Sequence, residues 1–236
     1  MNGALFVNWR SWSLLALCWV SMGLSNGLCS ESTSDSTVSL DQLNQQAKSY
    51  ADHKQWGKAQ QSYKEILKRR QKEYGSDDFR LDKPLSDVVR VTCIDGKCAA
   101  TVPYLKQILQ IRQKHFGPVH PLVATTLLLL GEAYEKMNDY ENACAFFRQT
   151  AQMQATLTGK DSQMTIGTRL NTIRVLKEKG DYIGANKEVQ ECLTLIGVDK
   201  SGSKYFQNVL TDYQKDFNGK INPKINGRIK LPKPAQ

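Results

Sequence analysis

HFGPVHPLVATTLLLLGEAYEKMNDYENA, residues 115–143, is echoed 42 residues later by LTGKDSQMTIGTRLNTIRVLKEKGDYIGA, residues 157–185. Gly117, Asp139, Tyr140 and Ala143 meet Gly159, Asp181, Tyr182 and Ala185, and Leu176 stands where Tyr134 stood. The echo also runs backwards: Gly75 precedes Gly117 by one period, and Trp56 and Ala59 precede Tyr140 and Ala143 by two. A fixed period of this length marks a solenoid, in which each unit buries its apolar face only against its neighbours. Such a design favours a binding scaffold over an enzyme.

The apolar spacing makes every unit a helical hairpin. In the third unit Leu127, Leu130, Gly131 and Tyr134 share one stripe, Met137-Asn138-Asp139 turns the chain, and Ala143, Phe146, Phe147 and Ala151 face back. The fourth repeats this with Ile173, Leu176, Gly180-Asp181, Ala185, Val189 and Leu193, and the first uses Leu43, Ala47 and Tyr50 before the helix opening at Trp56. Small residues at 131, 143 and 185 let paired helices approach closely, with Tyr134 and Phe147 filling the groove beside them. The second unit is degenerate. Its first helix starts near Leu81 but is limited by Pro84 and VTCIDGKC, while Pro103 suits the first turn of the next helix. The stretch SKYFQNVLTDYQKDF, 203–217, reads as a terminal helix covering the last apolar face.

Outside residues 40–217 the composition changes. Arg10 is the only charge before Glu31, and WSLLALCWVSMGL, 12–24, has the length of a signal-peptide apolar region rather than of a membrane span. We expect cleavage after Gly27, or as late as Ser30, giving an exported periplasmic or secreted protein; an uncleaved membrane anchor is the alternative. A polar linker, 28–39, would follow. Residues 218–236 read as a disordered basic tail: Lys220, Lys224, Arg228, Lys230 and Lys233 supply five of the nine net positive charges. That tail offers contact with an anionic surface or polyanion, but lacks the aromatic interleaving of a single-strand nucleic-acid binder, so no nucleic-acid partner is expected.

No segment carries an enzyme motif, and no cofactor is expected. His115 and His120 flank FGPV without convergent acids or cysteines, which favours a structural role over a metal site. Of six cysteines, Cys18 and Cys29 fall in the leader region. Cys93 and Cys98 flank the turn pair Asp95-Gly96, and a disulfide there would suit an oxidising compartment. Cys144 and Cys192 fall at core-facing helical positions and read as free buried thiols.

Leu127, Leu130-Gly131, Tyr134, Ala143 and Phe147 together resemble the tetratricopeptide repeat, and FGPVHPLVATTLLLLGEAY, 116–134, is similar to units of the kinesin-light-chain type. The resemblance spans about residues 40–200. It implies an all-α, right-handed solenoid of about four antiparallel hairpins plus a capping helix. It also implies a concave groove, lined by the first helix of each unit, that takes a peptide or partner segment. Family members hold a peptide backbone with paired asparagines; here Asn44 and Asn171 remain, and Leu128-Leu129 replace the pair in unit three. Alignment nominates Asn44, Lys48, Ser86, Arg90, Leu128, Glu132, Glu135, Asn171, Arg174 and Lys177 as groove residues. Basic ends around an acidic middle would steer a mixed-charge partner. The competing reading is ordinary solvated charge on amphipathic helices.

Overall fold

The computed structural model describes residues 38–196 and 203–221. The expected leader and the tail beyond 221 lie outside the described residues, as do Cys18 and Cys29. Among the described residues every regular element is helical. Four hairpins follow one another: α1 (Leu40–Asp52) with α2 (Trp56–Tyr74), α3 (Asp82–Ile94) with α4 (Val102–Phe116), α5 (Pro121–Lys136) with α6 (Tyr140–Thr158), and α7 (Gln163–Lys179) with α8 (Tyr182–Ile196). A further helix, α9 (Ser203–Ile221), packs on α8. Each helix otherwise touches mainly its neighbours in the chain, as a one-dimensional stack requires.

The helix starts are written locally. Ser39 caps α1 and receives the Gln42 backbone N–H, while the Gln42 side chain returns to the Ser39 N–H, a reciprocal capping box. Asp139 and Ser162 cap α6 and α7 in the same sense. His120 caps α5, its Nδ1 accepting from the Leu122 N–H at 3.2 Å, and Pro121 opens that helix where no N–H is needed. His120 also stacks on Phe116, and His115 on Phe79, so both histidines serve structure.

Turn geometry accounts for the glycine echo. Gly75, Gly117 and Gly159 end α2, α4 and α6 with φ of 83°, 85° and 100° and extended ψ, a region that only glycine enters freely. Within the hairpins a second series runs at the same interval. Lys54, Gly96, Asn138 and Gly180 all have positive φ, yet only two are glycines, so the residues conceal the periodicity.

That second series corrects the expectation at Cys93 and Cys98. The two cysteines are free thiols. Their loop is the ordinary hairpin turn of unit two, closed by the backbone: Gly96 N–H to Cys93 O and Lys97 N–H to Thr92 O, both 3.0 Å. Cys98 then opens a short 3-10 turn, 98–101, that aims its Sγ at the Cys93 carbonyl, 3.6 Å away. No covalent closure is needed. As the sequence predicts, Cys144 and Cys192 are free and buried.

The boundaries shift slightly. Val38, within the expected 28–39 linker, packs on the first core cluster, and its carbonyl receives Arg69 Nη1. At the other end α9 continues through Asn218 to Ile221, taking in the first four residues of the expected tail, 218–236. The core forms two clusters that meet at α5. One joins α1–α5 around Leu81, Leu85, Val88 and Ile111; the other joins α6–α9 around Phe147, Ile173, Val189 and Phe217.

Candidate functional site: the face of the first helices

Residues aligned at one interval of 42 fall on one face of α1, α3, α5 and α7, and on that face four of the nominated side chains converge. Arg174 pairs with Glu135, with Nη2 to Oε2 at 3.0 Å, and the same Nη2 reaches Asn171 Oδ1 at 3.3 Å. Glu132 lies beside them. A cleft of about 240 Å³ opens here between α3 and α5, walled by Val89, Cys93, Cys98 and Leu129, floored by Leu105, and rimmed by Glu132, Glu135, Lys136 and Arg174.

The two glutamates differ. Glu135, whose side chain is 9% exposed, is neutralised by Arg174. Glu132 has no hydrogen bond or ion pair among the described residues, and desolvation holds its carboxyl above its ordinary value despite the fields of Arg174 and Lys136. Burial and the neighbouring Cys98 thiol push Cys93 up to about 12, so it stands in the cleft as a neutral thiol. The site therefore offers one unpaired carboxylate above an apolar wall.

Elsewhere the nominated residues are spent differently. Asn44 donates its amide to its own helix, at Leu40 O, 3.0 Å. Lys48 is exposed on α1. Arg90 is exposed, lies 3.5 Å from Asp87 and leans over the Tyr63 ring. Ser86 receives Arg112 Nη2 at 3.5 Å. Leu128 is half-buried against the second core cluster, whereas its neighbour Leu129 packs on the first and reaches the cleft. Lys177 turns to the capping helix, 3.0 Å from Asp216 and over the Tyr213 ring.

Sequence reasoning missed two features that the register contains. Asp87 occupies the position of Asn171 two units earlier, and Cys93 that of Glu135 one unit earlier. It also missed Arg112, which is 9% exposed and ties three helices together: Nε and Nη2 reach Asp82 at 2.6 and 3.0 Å, and Nη1 reaches Leu122 O and Thr126 Oγ1. Among the described residues there is no cluster of metal-ligating side chains, and no helix is long and apolar enough to cross a membrane.

A tetratricopeptide-repeat family model matches residues 83–156. No curated protein sequence matches. Among solved structures, the nearly identical TPR-like repeats of a kinesin light chain from Podosopora anserina superpose with a TM-score of 0.57 at 15% identity, covering 77% of this chain and 96% of that one. BtubC (BKLC) from P. vanneervenii gives 0.56 at 18% identity, covering 84% and 85%. At these identities the structural likeness establishes the fold. The repeat echo, the stacked hairpins and the family match over residues 83–156 make this chain similar to tetratricopeptide-repeat proteins, with a fold like that of kinesin-light-chain repeats.

Proposed function

We propose that the protein is an exported, non-catalytic scaffold that docks a peptide or partner segment on the face of its first helices. Tetratricopeptide repeats generally bind protein partners, and the observation carrying the reading here is the cleft between α3 and α5. It joins an apolar wall, which gives area, to an unpaired carboxylate and a fixed Glu135–Arg174–Asn171 group, which give orientation. Export rests on the apolar leader, 12–24, and its small-residue cleavage region.

The test is capture of partners by the secreted form, repeated with Glu132→Lys and with Asn171→Ala. Arg174→Ala is a poor probe, because it strands the nearly buried Glu135 carboxylate and perturbs the fold. Partners held by the groove should fall away from both variants; an unchanged set would refute the reading. A second reading, binding to an envelope surface or polyanion through the basic segment 222–236, is favoured by its four cations and lack of acids. Deleting that segment should then abolish salt-sensitive retention while leaving groove partners bound.

A further inference from the structure

Helix α7 breaks the apolar pattern of units two and three on the side opposite Asn171 and Arg174, where unit one carries Ser39, Leu43 and Gln46. At three corresponding positions unit two has Leu81, Leu85 and Val88, and unit three has Val123, Leu127 and Leu130, all buried. One period on stand Thr165, Arg169 and Thr172. Polar groups in core positions cost stability unless they are satisfied, and departures from pattern concentrate at functional sites. Thr165 is satisfied, its hydroxyl donating to Gly159 O at 2.9 Å. Thr172 is not: the residue is 1% exposed and its Oγ1 has no hydrogen-bond partner among the described residues.

Thr172 lines a slot of about 440 Å³ between α6 and α8, with α7 as its floor. Its volume lies within the range of small-molecule sites. The charges around it are lopsided in their bonding. Glu188 accepts from Arg148 Nε at 3.0 Å and from Arg169 Nη1 at 3.2 Å, and Glu191 accepts from that same Nη1 at 3.0 Å. Each guanidinium carries five N–H donors, so both Nη groups of Arg148, and those N–H groups of Arg169 not engaged by the two glutamates or by the Cys192 thiol, have no acceptor among the described residues. Lys160, which also lines the slot, has no hydrogen bond or ion pair among the described residues. Donors are in surplus, and three of the four glutamate oxygens are already taken.

We propose that this slot binds a small organic carboxylate. The carboxylate sits among the spare N–H groups of Arg148, Arg169 and Lys160, where charge-assisted bonds are strong. Its short carbon skeleton lies on Ala151, Ala155 and Leu195, and the Thr172 hydroxyl donates to a ligand oxygen. The site is separate from the first-helix groove and does not depend on what binds there.

Titration of the full-length protein with succinate, followed by calorimetry and by the methyl resonances of Thr172 and Leu195, tests this. Saturable binding that shifts both methyls is expected, with butane-1,4-diol and inorganic phosphate each binding at least tenfold more weakly. Thr172→Val and Lys160→Gln should each weaken succinate binding on the order of tenfold, the scale of one charge-assisted hydrogen bond. Should Thr172→Val not fold, Arg148→Gln, at a side chain 54% exposed, takes its place with the same expected loss. A slot that holds water only, with no saturable shift, overturns the proposal. So does equal binding of the diol, tighter binding of phosphate, or succinate affinity indifferent to the substitutions.

Discussion

Gly131→Ala probes a close approach between α5 and α6. A Cβ built at Gly131 would lie 2.6, 2.7 and 3.1 Å from three carbons of the Phe147 ring. Carbon atoms rest about 3.5–4.0 Å apart, so the ring would have to retreat by about 1 Å. Phe147 is 0% exposed and has nowhere to go without moving its neighbours. Overpacking of this kind costs about 1–3 kcal/mol, against a gain of about 1 kcal/mol for replacing a mid-helix glycine by alanine. Gly167→Ala in α7 supplies the control, since nothing lies within 4 Å of its Cβ position. That variant should be more stable than the parent by about 1 kcal/mol. The two variants should thus differ by about 1–3 kcal/mol in urea unfolding followed by helical circular dichroism. For a chain of this size each kcal/mol moves the thermal midpoint by about 2–4 °C. In the Gly131→Ala background, Phe147→Leu should cost less than it does alone, because trimming the ring relieves the overlap. A Gly131→Ala protein as stable as Gly167→Ala would refute the close-approach argument.

Three further outcomes follow from named contacts. Arg112→Met should cost about 3–5 kcal/mol, because it leaves Asp82, 17% exposed, without its partner; Asp82→Leu in the same chain should recover most of the loss in chemical denaturation. Alkylation at pH 8 should label native Cys93 and Cys192 roughly 100-fold more slowly than the unfolded chain, since burial pushes their thiols up to about 12 and 11, and mass spectrometry of the denatured protein should find both labelled; an unlabelled Cys93–Cys98 pair would contradict the free thiols. Glu132 has its carboxyl raised in the folded state, so its contribution to stability is present below the ordinary value and lost as pH rises through the raised one. Glu132→Gln should therefore raise the thermal midpoint at pH 7 and leave it unchanged near pH 3, and a midpoint raised equally at both values would overturn the assignment.

What could be read from the sequence is what local chemistry and period dictate together. Ala143, Phe147, Ala185 and Val189 are buried as their spacing predicts, because a solenoid forces the same face inward in every unit. The glycines at 75, 117 and 159 were visible as an echo, since no other residue adopts their backbone conformation at low cost. The inner turns were not visible, because left-handed backbone near φ of 57° admits lysine at 54 and asparagine at 138 for only a modest strain. The Cys93–Cys98 pair was misread for that reason: without seeing that Gly96 belongs to the turn series, a disulfide looked like the device that closes the loop. The groove was legible only as a set of aligned positions. Which side chains meet depends on long flexible groups choosing partners, and Lys177 chose Asp216 on α9 while Arg174 chose Glu135 on α5.

The same register carries information in its violations, and these separate the two sides of α7. On the groove side, charges alternate from unit to unit, as solvent-facing positions do when nothing fixes them except a partner. On the inner side, units two and three are aliphatic and buried, while the corresponding Ser39 and Gln46 of unit one are exposed; Thr165 and Thr172 are buried, so their polarity is not that of a solvated surface. A buried hydroxyl without a partner costs about 1–3 kcal/mol, a large fraction of the stability of a marginal domain. A valine at 172 would fill the same space without that penalty. Retaining threonine there is intelligible if the hydroxyl is satisfied in a bound state, and that makes the stability of the ligand-free Thr172→Val protein informative. It should unfold at a higher urea concentration than the parent in the absence of any carboxylate, and lose that advantage when the parent is saturated with one. If Thr172→Val is instead less stable in both conditions, the hydroxyl is already satisfied within the fold, and the polar turn of α7 is packing rather than a site.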